Sequence, residues 1–75
     1  MEVYMSPRKL VYKNYNNEEI FIKNCSTSEE VYKEIYDYLN KITDYKPSYY
    51  RVWSDGDKTV FDFGSWSEFF YLYEE

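Results

Sequence analysis

The sequence predicts an α+β fold: a small single domain in which one helix is packed across an antiparallel β-sheet, in the order β-β-α-β-β-β. Three observations carry this expectation. Residues 9–24 are rich in β-formers and are broken by Asn16-Asn17. A capped stretch with helical apolar spacing follows Ser26. An Asp55-Gly56 pair then sits inside "SYYRVWSDGDKTVFDF". With 75 residues, the chain is read as one domain over residues 1–75. A chain of this size buries only about 60% of the surface its unfolded form exposes, so its stability margin is thin.

Residues 1–8 read as a lead-in, with Pro7 holding Ser6 extended. "KLVYKNY", 9–15, is the first strand, and Asn16-Asn17 serves as the turn because Asn tolerates positive φ. "EEIFIKN", 18–24, returns as the second strand. Its register stays open, because apolar residues fall on both faces in either pairing. The helix starts at a capping box, with Ser26 and Glu29 or Thr27 and Glu30 as equal candidates. Glu29 and Glu30 suit the positive end of the helix dipole. Val31, Ile35, Tyr38, Leu39 and Ile42 make the core stripe. The helix should fade near Thr43–Tyr45, ahead of Pro47. Asp55-Gly56 predicts a type I′ hairpin turn. With that turn Val52 opposes Thr59 and Tyr50 opposes Phe61. Phe63 continues this apolar face, and Arg51, Trp53, Lys58, Val60 and Asp62 share the other. Gly64-Ser65 ends the strand, and "EFFYLY", 68–73, reads as the last one.

Composition narrows the function classes. The chain has no His and a single Cys, Cys25, which reads as a small buried side chain in a reducing compartment. No zinc cluster and no His-dependent nucleophile can be built, and neither Gly56 nor Gly64 lies in a phosphate-cradling loop. Asp55 and Asp57 flank a glycine and read as solvated turn formers. Together with Asp62 they lack the spacing of a magnesium site. The expectation is therefore a non-catalytic protein without cofactor or metal. No apolar run approaches the length of a membrane helix, and "MEVYMSPRKL" lacks the apolar core of a secretory signal. A cytoplasmic location is the default.

The net charge of −5 is unevenly spread. It is +1 over residues 1–25, −2 over 26–46 and −4 over 47–75. This gradient argues against direct nucleic-acid binding, which needs clustered Lys and Arg, and favours basic partners. Glu30, Glu34, Asp37, Lys41 and Asp44 recur along one helix face. Carboxylates so placed are roughly 4.5–6 Å apart along the axis, against about 3.4 Å between phosphates on a DNA strand. Such a row, joined by the acidic 55–62 hairpin and the Glu74-Glu75 tail, could imitate a phosphate backbone. The alternative is a solvated face with ordinary pairs such as Glu30–Lys33 and Asp37–Lys41. The 18 aromatic residues include 11 Tyr, too many for so small an interior. Tyr32 and Tyr36 flank the core stripe, while Tyr49, Tyr71 and Tyr73 have no assigned partners. "FFYLY" could lie on an exposed sheet edge and pair with a second copy.

Ala, Gln and His are absent while Tyr, Lys, Asn, Ile and Phe abound, as AT-rich codons dictate. With the acidic helix "SEEVYKEIYDYL" and the tail "DGDKTVFDFGSWSEFFYLYEE", the chain resembles the small acidic early proteins of phages that infect Gram-positive bacteria. Among these it is similar in character to the sliding-clamp inhibitors of staphylococcal phages of the Twort type. The resemblance implies an inhibitor of DNA replication in the host cytoplasm. Its partner would be the DNA polymerase III β sliding clamp, whose Lys- and Arg-lined channel it would occupy as a DNA mimic, as a homodimer. Under that reading Glu30, Glu34, Asp37, Asp44, Asp55, Asp57, Glu74 and Glu75, chosen by charge position, face the channel. The sequence departs from the usual clamp-binding peptide, which begins with Gln; "EFFYL" is a degenerate version, so contact should go through the channel. Competing expectations are a mimic aimed at a CRISPR nuclease, a restriction enzyme, RNA polymerase or a repair glycosylase. Another is a structural or assembly protein held together by its tyrosines.

Overall fold

Val3–Lys13 forms the longest strand, β1, and the sheet is built outward from it. The computed structural model describes residues 3–43 and 50–74. Along the chain, β1 is followed by β2 (Glu19–Thr27), α1 (Ser28–Ile42), β3 (Arg51–Asp55), β4 (Lys58–Asp62) and β5 (Phe69–Tyr73). The predicted order and fold class are therefore those observed. All the strand pairings are antiparallel, and the five strands lie in the order β2-β1-β5-β4-β3.

That order corrects one expectation. "FFYLY" is not an exposed edge but the central strand, hydrogen-bonded to β1 on one side and β4 on the other. The free edges are β2 and β3. Nor are residues 3–8 a lead-in, since β1 already begins at Val3.

The first hairpin closes through a wider turn than Asn16-Asn17 alone. The Asn14 side-chain oxygen accepts from the backbone N–H groups of Asn16 (2.9 Å) and Glu18 (3.0 Å). Asn17 takes the positive φ, 65°. Beyond it the pairing shifts between Leu10↔Lys23 and Val11↔Phe21, which leaves Ile22 as an extra residue on β2. A bulge of this kind breaks the period of two. This is why no single register places the apolar residues of 9–24 on one face.

Helix α1 settles its own start. Thr27 is the N-cap, its hydroxyl accepting from the Glu30 N–H at 3.1 Å. Glu30 in turn accepts from the Ser26 N–H at 2.7 Å. Thr43 caps the other end, its N–H bonding back to the Leu39 carbonyl at 2.9 Å. Tyr45 and Pro47 lie outside the described residues. Val31, Ile35 and Leu39 are buried at i, i+4 spacing against β1 and β2. Tyr38 packs at the margin of the core. Ile42 does not belong to it: one turn past Leu39 it overhangs the core and is 46% exposed.

The second hairpin has the predicted strands but a different turn. Asp55 pairs with Lys58, so Gly56 and Asp57 are the central residues. Gly56 has φ 65° and Asp57 is not in the positive region. A single positive φ at the first central position is the type II′ pattern, for which Gly is selected there. Val52 thus opposes Phe61 rather than Thr59. The slip is of two residues, so the predicted division between faces survives it.

The core lies between α1 and one face of the sheet. Leu10, Tyr12, Phe61, Phe63, Phe70 and Leu72 meet Cys25, Val31, Ile35 and Leu39 there. Phe70 is its centre: its ring lies 5.3 Å from that of Tyr12 and 5.5 Å from that of Phe63. The Cys25 thiol is fully enclosed, and burial pushes its pKa up to about 11. No helix among the described residues is long and apolar enough to cross a membrane.

Candidate binding surfaces

The predicted acidic residues fall into two groups with different surroundings. On α1, Glu30 and Glu34 lean toward β2, where the Lys23 ammonium lies 2.9 Å from Glu30 and 3.7 Å from Glu34. The Ser26 N–H, and then Lys23, hold the Glu30 carboxyl below its usual range. Asp37 pairs with Lys33 at 2.8 Å. The pairs are therefore Lys23–Glu30 and Lys33–Asp37, not the expected Glu30–Lys33 and Asp37–Lys41. Glu30 also accepts the Ser26 N–H beside the helix cap, so it belongs to the frame of the fold as much as to its surface. Asp44 lies outside the described residues.

The second group is gathered by the sheet. The β3–β4 turn and the end of β5 meet where the Glu74 N–H donates to the Asp57 carbonyl at 3.0 Å. Asp55, Asp57 and Glu74 are all exposed at this end. Arg8 approaches Glu74 at 3.8 Å, while Asp55 and Asp57 have no ion pair among the described residues. Glu75 lies outside them. Residues 55 and 57 are thus brought to residue 74 by the β4–β5 pairing. Asp62 points elsewhere, at the far end of β4, where it is tied to Arg51. Among the described residues no three Asp, Glu, Cys or His side chains come together to hold a metal.

A third surface is built on β5, whose Tyr71 and Tyr73 the sequence leaves without assigned partners. Strand alternation places Phe69, Tyr71 and Tyr73 on the sheet face away from α1. The Phe69 and Tyr71 rings are nearly parallel, with centroids 6.5 Å apart, and Tyr73 follows at 6.3 Å. Trp53 meets Phe69 edge-on at 6.5 Å. Cations flank this row. Lys58 lies 4.4 Å from the Tyr71 centroid, Lys9 5.2 Å from that of Tyr73 and Lys13 5.3 Å from that of Phe69. Arg51 stands beyond Trp53. The predicted sharing of a face by Arg51, Trp53, Lys58 and Val60 was the available signal. What the sequence lacked was the position of β5 beside β4, which brings the rings to those cations. Tyr49 lies outside the described residues.

There is also a cleft of about 640 Å³ between the end of α1 and the first hairpin. Tyr12, Tyr38, Phe63 and Glu68 line it. The Tyr12 hydroxyl donates to the Glu68 carboxylate, and burial first, then Glu68, raises the Tyr12 pKa.

These features define a class: a five-stranded antiparallel α+β domain with exposed carboxylates at the β3–β4 turn and an aromatic, lysine-flanked sheet face. No protein-family model, curated protein or solved structure matches the chain.

Proposed function

We propose that the protein is a phage-encoded, non-catalytic inhibitor of host DNA replication that acts as an acidic DNA mimic. In this reading the end bearing Asp55, Asp57 and Glu74 enters the DNA channel of the bacterial sliding clamp. The observation that supports it most is the junction of the β3–β4 turn with Glu74, which collects exposed carboxylates with little internal neutralisation. Glu30, Glu34 and Asp37 contribute less, because Lys23 and Lys33 already answer them. The hairpin end, rather than the helix, leads the contact. A net charge of −5 draws the protein toward a basic channel from a distance. The choice of the clamp, and of a homodimer, rests on the resemblance to staphylococcal phage inhibitors.

Size-exclusion chromatography with light scattering, on this protein alone and mixed with the staphylococcal clamp, tests the reading. A complex is expected at low salt that weakens steeply as salt rises, because exposed charges are screened beyond about 8 Å at physiological ionic strength. Combined Asp55→Lys, Asp57→Lys and Glu74→Lys substitution should abolish it. A complex of unchanged affinity in that variant, or none at any salt, overturns the proposal. Reversal at Glu30 is a poor substitute, since it also disturbs the start of the helix.

A further inference from the structure

We propose that the sheet face opposite α1 binds single-stranded nucleic acid, stacking bases on its aromatic row and holding phosphates with the lysines beside it. Proteins that bind single strands without sequence preference combine a cationic track with aromatic rings on which successive bases stack. Both parts are present. Phe69, Tyr71 and Tyr73 form the row, with ring centroids 6.5 and 6.3 Å apart. Lys9 and Lys13 of β1 stand on one side of it and Lys58 of β4 on the other, each within 5.3 Å of a ring. The Lys9 and Lys58 ammonium groups sit on flexible stems and can leave the rings for a phosphate when a base takes their place, whereas the Lys13 ammonium donates to the Ser67 carbonyl at 2.7 Å.

One end of the row opens into a pocket of about 360 Å³. Trp53, Trp66 and Phe69 supply its rings, and the Arg51–Asp62 pair its charged groups. Trp66 is fully exposed and open to a ligand, whereas the Arg51 guanidinium, 70% exposed, is already paired with Asp62 at 2.9 Å. A flat ring fits such walls: the indoles and the guanidinium plane can each stack on a base, and the anionic part of the ligand falls to the lysines along the row. Of the carboxylates on this face, Asp62 and Glu19 are engaged and Asp55, at its far end, has no ion pair among the described residues. Asp62 is bound by Arg51 at 2.9 Å and by the Gly64 N–H at 2.8 Å, and Glu19 accepts from the Tyr73 hydroxyl.

Charge selects the occupant. Two copies packed through this face would set the cations of one against those of the other. A polyanion carrying flat rings meets both features at once. The net negative charge of the chain limits affinity, and the acidic end at Asp55 favours binding toward the Arg51 and Lys13 end.

Both tryptophans, Trp53 and Trp66, border the pocket, so intrinsic fluorescence reports on it directly. The test is a titration of the whole protein with oligothymidylate of about ten nucleotides at low salt. Saturable quenching is expected, weakening with salt at a slope of about −0.7 per phosphate contacted. Trp66→Ala, at a wholly exposed position, should weaken binding about 5- to 100-fold. Lys58→Glu should weaken it and flatten the salt slope. The absence of quenching, or affinity untouched by both variants, overturns the proposal. So does quenching by phosphatidylserine vesicles but not by the oligonucleotide, or a protein mass that doubles in a Trp66-dependent way without it. The variant reversed at Asp55, Asp57 and Glu74 should bind oligothymidylate at least as tightly. The result is therefore separable from that of the clamp experiment.

Discussion

Asp62 is the one buried charged side chain among the described residues, and its environment explains why it stays ionised. The Gly64 N–H, and then Arg51, hold its carboxyl below the usual carboxylate range against the opposing effect of burial. Because the folded-state value is depressed, the stabilisation is complete above the ordinary carboxylate pKa and is lost as pH falls through the folded value. Asp62→Ala leaves the Gly64 N–H without its partner and should cost about 1–3 kcal/mol at neutral pH. Urea denaturation of both proteins at neutral and acid pH checks this; the difference should shrink on acidification. The sequence presented Asp62 only as one of several acidic residues near a turn. Its partner, Arg51, is eleven positions away, and only the hairpin register makes them neighbours. Glu30 carries a similar lesson. It was visible as a capping residue and as part of an acidic stripe, but not as the partner of Lys23 on a different element.

At the scale of elements, local chemistry was legible and long-range pairing was not. The helix was readable because cap, dipole and apolar spacing all lie within a few residues of one another. Its last predicted core residue, Ile42, failed because periodicity says which side a residue faces, not how far the covering sheet extends. The first hairpin's register was hidden by the bulge at Ile22, which no alternation pattern reveals. In the second hairpin, Gly56 was recognised but placed at the wrong turn position. Its φ of 65° now gives a sharp expectation. A methyl group at Gly56 meets nothing within 4 Å, so Gly56→Ala acts through the backbone alone. The substitution should destabilise by about 1–2 kcal/mol, a large share of the margin of so small a domain. Thermal unfolding measures it, and an unchanged midpoint would show that the turn is not held as described. The placement of β5 at the centre of the sheet lay furthest out of reach, because strand order depends on contacts between residues about sixty positions apart, such as Lys9 and Tyr73.

For the whole molecule, the sequence supplied totals of charge and the fold sorts them into surfaces. The acidic sum was plain, and so were the carboxylates at 55, 57 and 74. Glu30 and Glu34 are paired because Lys23 falls beside them in space, while Asp55 and Asp57 have no ion pair among the described residues and Glu74 meets Arg8 at 3.8 Å. Cations that form no run in the sequence, at positions 9, 13, 51 and 58, are gathered on one face by three strand pairings. The premise that phosphate contacts need clustered cations therefore holds, but the clustering has to be looked for in the sheet. The acidic end and the aromatic face meet where Lys58 lies opposite Asp55. Whether the acidic end leads the contact with the clamp is read by backbone chemical-shift mapping of the labelled protein as the sliding clamp is added. Shifts should concentrate at Asp55–Lys58 and Glu74 and disappear at high salt. Shifts confined to the outer face of α1 or to Phe69–Tyr73, with Asp55, Asp57 and Glu74 unmoved, would show that the acidic end does not lead.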